Sequence, residues 1–108
     1  VVDSCLVPVC QVDGTEIRTV EGLSDAETQA LNPLQQAFLE RGGAQCGICT
    51  PGMLMAAQAY LDDGGPADDA DIREAIAGNL CRCTGYTKII DSIEAAVVAR
   101  DAATEGER

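Results

Sequence analysis

The chain has 108 residues and a formal net charge of −11, which suits one small domain and argues against polyanionic partners such as nucleic acids and anionic membranes. It contains no apolar run long enough to span a bilayer and no visible signal peptide, so we expect a cytoplasmic protein. Six cysteines without any histidine exclude Ser-His-Asp catalysis and mixed Cys/His zinc fingers, and they favour metal ligation or redox chemistry over disulfides.

Residues 1–22 have the pattern of a short β-hairpin. An apolar run over residues 5–9 contains Pro8, which favours the edge of a sheet. Asp13-Gly14 is a typical hairpin turn, and alternating polar and apolar residues follow it over 15–20. Because two strands alone are not stable, we interpret this segment as the end of a larger domain.

From residue 23 the pattern becomes helical and predicts a mainly α fold, a small four-helix bundle over residues 23–102. The segment 24–27 fits a capping box that opens a short helix, which Asn32-Pro33 restarts. Three further helices are predicted where a capping side chain or an early proline occurs: at Thr50-Pro51, at Asp68 or Asp69, and at Thr84. The polar tail, 103–108, is predicted to be flexible.

The most specific pattern is a pair of cysteine motifs, Cys46-Gly47-Ile48-Cys49 and Cys81-Arg82-Cys83. Each motif can hold one metal centre with two thiolates, and together they supply four soft ligands for iron–sulfur or zinc. The threonines that follow, Thr50 and Thr84, are expected to cap helices whose N-termini favour an anionic centre. The Cys-x-Cys spacing and the long intervening segment favour iron–sulfur; zinc, disulfides and a thioredoxin-like redox pair are the alternatives.

At these motifs the sequence resembles the small iron–sulfur subunit of the molybdenum hydroxylases, the family of xanthine dehydrogenase, aldehyde oxidoreductase and carbon monoxide dehydrogenase. Three stretches carry the resemblance: NPLQQAF (32–38), QCGICTPGM (45–53) and GNLCRCTGY (78–86). It implies a four-helix domain with pseudo-twofold symmetry and one 2Fe-2S cluster. The implied cluster ligands are Cys46, Cys49, Cys81 and Cys83. Gln45 and Cys83 are further implied to contact the pterin of a molybdenum cofactor on another subunit.

The resemblance also implies the route of the electrons. They would leave a large molybdopterin-binding subunit, where the substrate is oxidised, cross this cluster, and pass through a second cluster toward FAD on a flavin subunit or another acceptor. The alternative functions are a four-cysteine zinc module with a structural or interaction role and a scaffold without a cluster.

The family carries an upstream ferredoxin-like domain, and residues 1–22 resemble its C-terminal remnant. Cys5, in Asp3-Ser4-Cys5-Leu6, looks like the fourth ligand of that domain's cluster. The first three ligands are absent from this sequence. Cys5 is therefore a candidate ligand of an incomplete second cluster, whose other ligands were truncated or lie on another chain, whereas Cys10 is interpreted as a free thiol.

Overall fold

The structure is a computed structural model that describes residues 1–106, with side chains for residues 1–103. The described chain forms four α-helices and no strand. The helices are α1 (Pro33–Arg41), α2 (Thr50–Asp62), α3 (Asp69–Ala75) and α4 (Thr87–Gly106). The mainly α class is thereby confirmed. Among the described helices, none combines the length and apolar character that crossing a membrane requires.

The structure corrects the hairpin predicted over residues 1–22. This segment forms three short 3₁₀ turns, Ser4–Leu6, Val9–Val12 and Val20–Leu23. The Asp13-Gly14 turn does form, and the N–H of Thr15 donates to the carbonyl of Val12 across it at 3.0 Å. The flanking residues do not pair, however, since two strands need a third strand or a covering helix and the described chain offers no other strand.

The start of α1 is the capping box predicted at Asn32-Pro33. The side-chain oxygen of Asn32 accepts the N–H of Gln35 at 2.8 Å, and the side-chain oxygen of Gln35 accepts the N–H of Asn32 at 2.9 Å. Gly42 ends the helix in the left-handed conformation, with φ at 73°, which a residue without Cβ adopts at little cost. Asp68 likewise caps α3, as predicted, by accepting the N–H groups of the next turn.

The capping box predicted over 24–27 does not form. The hydroxyl of Ser24 donates instead to Gln35 Oε1 at 3.0 Å. Asp25 takes the capping role, because its Oδ1 accepts the N–H groups of Glu27 and Thr28, and only a single turn follows. At the other end of the chain, α4 continues through Gly106, and the remainder of the predicted tail lies outside the described residues.

The core lies between α1 and α4, which pack extensively, with α2 and α3 completing it. Its largest fully buried apolar side chains are Leu34, Met53, Ile72, Ile89, Ile93 and Val97. The backbone approaches closely at Gly43, where a Cβ would lie 2.8 Å from Ser92 Oγ and 2.9 Å from Phe38 Cδ2. This close packing fixes the point at which the chain leaves α1 and enters the loop that carries the first cysteine motif.

Candidate metal centre

The loops that precede α2 and α4 bring four cysteines together as two pairs. The thiols of Cys46 and Cys83 interact and shift each other's pKa. The thiols of Cys49 and Cys81 do the same. Each of these two pairs takes one cysteine from each motif, an arrangement that the spacing along the chain does not reveal. All four are free thiols.

The two pairs differ in their exposure. Cys46 and Cys83 are exposed, whereas Cys49 and Cys81 are partly buried and pack against the hydrophobic core. We call Cys46–Cys83 the outer pair and Cys49–Cys81 the inner pair. A group bound between them would contact the core on one side and face solvent, or a partner, on the other.

The two loops approach each other closely beside the inner pair. A Cβ at Gly52, in the first turn of α2, would lie 2.8 Å from the side-chain oxygen of Asn79. Gly52 lies three residues after Cys49, and Asn79 lies two residues before Cys81. The absence of a side chain at Gly52 therefore lets the second loop approach the beginning of α2 next to the inner pair.

The N-cap of α2 lies one residue before Thr50, the residue predicted for that position. Cys49 occupies the N-cap position and Thr50 is the first residue of α2, followed by Pro51. The hydroxyl oxygen of Thr50 is buried and has no hydrogen-bond partner in the described chain. An unsatisfied buried polar atom in a native fold is often completed by a bound ion or water, and this one follows directly after an inner-pair cysteine.

The cap predicted at Thr84 is also corrected, since α4 begins at Thr87. The hydroxyl oxygen of Thr84 accepts the N–H of Tyr86 at 3.1 Å and lies 3.1 Å from the Cys81 sulfur. Gly85 and Tyr86 both have left-handed backbone, with φ at 64° and 72°, so the helix starts three residues later. Only the first motif thus immediately precedes a helix N-terminus.

Tyr86 contributes to the site in a way that sequence reasoning missed. Its backbone adopts a left-handed conformation with φ at 72°, which costs a non-glycine residue about 1–2 kcal/mol. Its hydroxyl folds back to accept the N–H of Cys81 at 3.0 Å. This bond and the one from its own N–H to Thr84 hold the strained turn, and strain of this kind is typical of functional sites. No pattern in the sequence signals either feature.

Backbone N–H groups lie against the exposed sulfurs. The N–H of Ile48 lowers the pKa of Cys46 by stabilising its thiolate. Gly47, with φ at 86°, provides the left-handed turn that precedes this N–H. The contact with Cys46 raises the pKa of Cys83, opposed by a hydrogen bond from the N–H of Cys46.

The two cysteines of the inner pair have shifted pKa values of opposite direction. The hydroxyl of Thr84, followed by its N–H, lowers the pKa of Cys81 to about 7. Partial burial raises the pKa of Cys49 to about 11. The Cys49 thiolate is therefore unfavourable without a compensating positive charge, which a bound metal that displaces the proton would supply.

Comparison with known proteins identifies the class of domain. Residues 19–94 match the 2Fe-2S binding domain family. The chain belongs to this family. The 2Fe-2S binding domain matched here includes both cysteine motifs and the four helices up to the middle of α4.

Relatives of this 2Fe-2S binding domain are subunits of oxidoreductases. The chain is 49% identical over 90 residues to a probable xanthine dehydrogenase subunit of Bacillus subtilis, covering 83% of this chain and 50% of that protein. It is 48% identical over 92 residues to the nicotine 6-hydroxylase small subunit of Paenarthrobacter nicotinovorans, covering 85% and 54%. The chain thus spans about half the length of these two relatives.

A solved structure shares the fold of this 2Fe-2S binding domain. Quinoline 2-oxidoreductase from Pseudomonas putida 86 superposes with a TM-score of 0.76 at 44% identity, covering 92% of this chain and 61% of that chain. Together with the two relatives, it confirms the resemblance to iron–sulfur subunits of the molybdenum hydroxylase family.

The side-chain chemistry of this 2Fe-2S binding domain suits an iron–sulfur cluster. Four thiols form two pairs, N–H groups lie against their sulfurs, and a buried hydroxyl lacks a partner. Within residues 1–103, no group of three or more cysteine or acidic side chains is arranged to hold a metal ion. The family match supports an iron–sulfur centre and does not support the zinc alternative.

The remaining predicted site residues lie around or apart from the pairs. Gln45 is exposed and directly precedes Cys46 at the outer pair. Cys5 and Cys10 are exposed free thiols in the first two 3₁₀ turns, outside both pairs. The described structure therefore brings together the four cysteines of the two motifs and leaves the N-terminal two apart.

Proposed function

We propose that Cys46, Cys49, Cys81 and Cys83 hold one 2Fe-2S cluster and that the chain transfers electrons within a molybdenum-containing hydroxylase. The observation that carries this proposal is the match to the 2Fe-2S binding domain family, which includes both cysteine motifs on the loops before α2 and α4. When bound, such a cluster takes up and releases single electrons. Residues 23–102 are the proposed cluster-binding unit, with pseudo-twofold symmetry between its two cysteine loops.

The surface around the outer pair supports a partner at this site. Ile48 and Leu80 are 86% and 84% exposed, and each directly precedes an inner-pair cysteine. Large apolar side chains that flank exposed polar groups are typical of protein interfaces. We propose that a large molybdopterin-binding subunit covers this surface and that Gln45 and Cys83 contact its pterin. Oxidation of the substrate would take place on that subunit.

A second partner is proposed at the N-terminal segment. Residues 1–22 expose several large apolar side chains, including Leu6, Val9 and Ile17. These would contact the remainder of a ferredoxin-like domain, in which Cys5 is a ligand of a second cluster. From there electrons would reach FAD on a flavin subunit or another acceptor. The cytoplasmic location inferred from the sequence stays a prediction.

Visible absorption of the purified chain tests the cluster. We expect a red-brown protein with visible bands that bleach on addition of dithionite, and iron and acid-labile sulfide in equal amounts. These features follow from bound iron and sulfide, whereas zinc gives a colourless protein. A colourless protein that contains zinc, or no metal after anaerobic reconstitution, would contradict the proposal.

Polar substitution at Ile48 and Leu80 tests the partner surface. The double variant Ile48→Gln/Leu80→Gln should keep the visible spectrum but bind the molybdenum-containing subunit at least about tenfold more weakly, since burying one such side chain contributes about 1.5–3 kcal/mol. Co-purification followed by titration measures this. The matched control is Leu39→Gln on α1, which is 69% exposed. Equal binding by both variants would place the partner elsewhere.

A further inference from the structure

The hydroxyl of Thr84 is a polar group of the site that the electron-transfer proposal does not use. Its oxygen lies 3.1 Å from the sulfur of Cys81 in the partly buried inner pair. The same oxygen accepts the N–H of Tyr86 at 3.1 Å. The side chain is partly buried, so bulk water screens the contact only incompletely.

The direction of the hydrogen bond follows from the chemistry of a metal-bound cysteine. A thiolate that ligates iron has no proton, so its sulfur can only accept. The Thr84 hydroxyl must therefore donate, while its oxygen continues to accept the N–H of Tyr86. Tyr86 is itself anchored by its hydroxyl, which accepts the N–H of Cys81 at 3.0 Å. The turn thus holds both the backbone and the sulfur of Cys81.

We propose that Thr84 tunes the reduction potential of the cluster by donating this hydrogen bond to the Cys81 sulfur. Reduction adds negative charge to the cluster, and a donor at a ligand sulfur stabilises the more negative state. The bond therefore raises the potential. The inference rests on the proposed function, because it requires a cluster on Cys81.

This donor differs in kind from those at the outer pair. There, the N–H groups of Ile48 and Cys46 belong to the backbone, and side-chain substitution does not remove them. At Cys81 a side-chain hydroxyl adds to the backbone contacts. A single substitution can therefore remove one donor while the ligands stay in place.

The test is a redox titration of the reconstituted chain, followed by electron paramagnetic resonance of the reduced cluster. Thr84→Val replaces the hydroxyl by a methyl group of similar size, and Thr84→Ser retains the donor. We expect Thr84→Val to lower the reduced-to-oxidised ratio at fixed potential by up to about tenfold, equivalent to about 59 mV for one electron. Thr84→Ser and the exposed control Thr87→Val should titrate as the parent chain does.

An unchanged potential in Thr84→Val with full iron content would overturn the inference and leave the proposed function intact. Should Thr84→Val assemble too little cluster, Thr84→Ala gives the same readout without a methyl group against the sulfur. If neither Thr84→Val nor Thr84→Ala binds the cluster while Thr84→Ser binds it normally, the hydroxyl is needed for cluster assembly. That result would also overturn the proposed role in tuning the potential. A parent chain without a 2Fe-2S spectrum would instead refute the proposed function itself.

Discussion

Cys83→Ser is expected to remove the visible 2Fe-2S spectrum and nearly all bound iron. Cys83 is one of the four proposed ligands, so the substitution would leave the centre with three thiolates. Removing a residue that only hydrogen-bonds to a metal ligand weakens metal binding about 10–100-fold. Removing a ligand itself should weaken binding further. Cys46→Ser should behave in the same way. Because both side chains are exposed, neither change leaves a cavity in the core.

The same variants should also unfold at a lower temperature, because metal binding and folding are coupled. Iron analysis and thermal unfolding by circular dichroism measure the two effects. Cys10→Ser is the matched control, since Cys10 is an exposed free thiol in the second 3₁₀ turn, and its iron content and melting should match those of the parent. Normal iron and melting in both Cys46→Ser and Cys83→Ser would refute the ligand assignment.

Leu34→Ala is expected to lower the free energy of unfolding by about 2–5 kcal/mol. Leu34 is fully buried on α1, in the core between α1 and α4, so its truncation removes buried apolar surface and leaves a cavity. Leu39→Ala on the same helix removes the same atoms from a side chain that is 69% exposed, and should change stability by less than about 0.5 kcal/mol.

Urea unfolding of the cluster-containing protein, followed by circular dichroism, compares the two leucine variants. The visible spectrum is recorded in parallel, so that loss of the cluster is distinguished from loss of packing. Equal destabilisation by the two substitutions would mean that the core does not lie on the Leu34 face of α1.

Helix starts were predictable where the capping side chain acts within its own turn. Asn32 and Asp68 do so, and α1 and α3 begin next to them. Ser24 and Thr84 have the same capping chemistry, but no helix follows them directly. The hydroxyl of Ser24 donates to Gln35 of α1, and left-handed backbone at Gly85 and Tyr86 follows Thr84. The residue type at the cap is the same, and the contacts and backbone conformations around it decide the outcome.

The cysteine motifs could be recognised from the sequence, but their pairing could not. Spacing along the chain favours a pair within each motif, whereas the thiols that act on each other's pKa are Cys46 with Cys83 and Cys49 with Cys81. These interactions join two loops that are far apart in sequence, so the sequence alone does not indicate them. The hairpin prediction failed for a related reason: strand pairing needs partners that the described chain does not supply.

The position of the two cysteine motifs would make a bound cluster a long-range crosslink. The segment between them, from Cys49 to Cys81, contains more than thirty residues, including α2 and α3. A cluster held by both motifs would close this segment into a loop whichever cysteines share an iron. The chain-entropy relation gives about 3–4 kcal/mol for one closure of that size. Filling the centre would therefore restrict the unfolded chain across the middle of the domain.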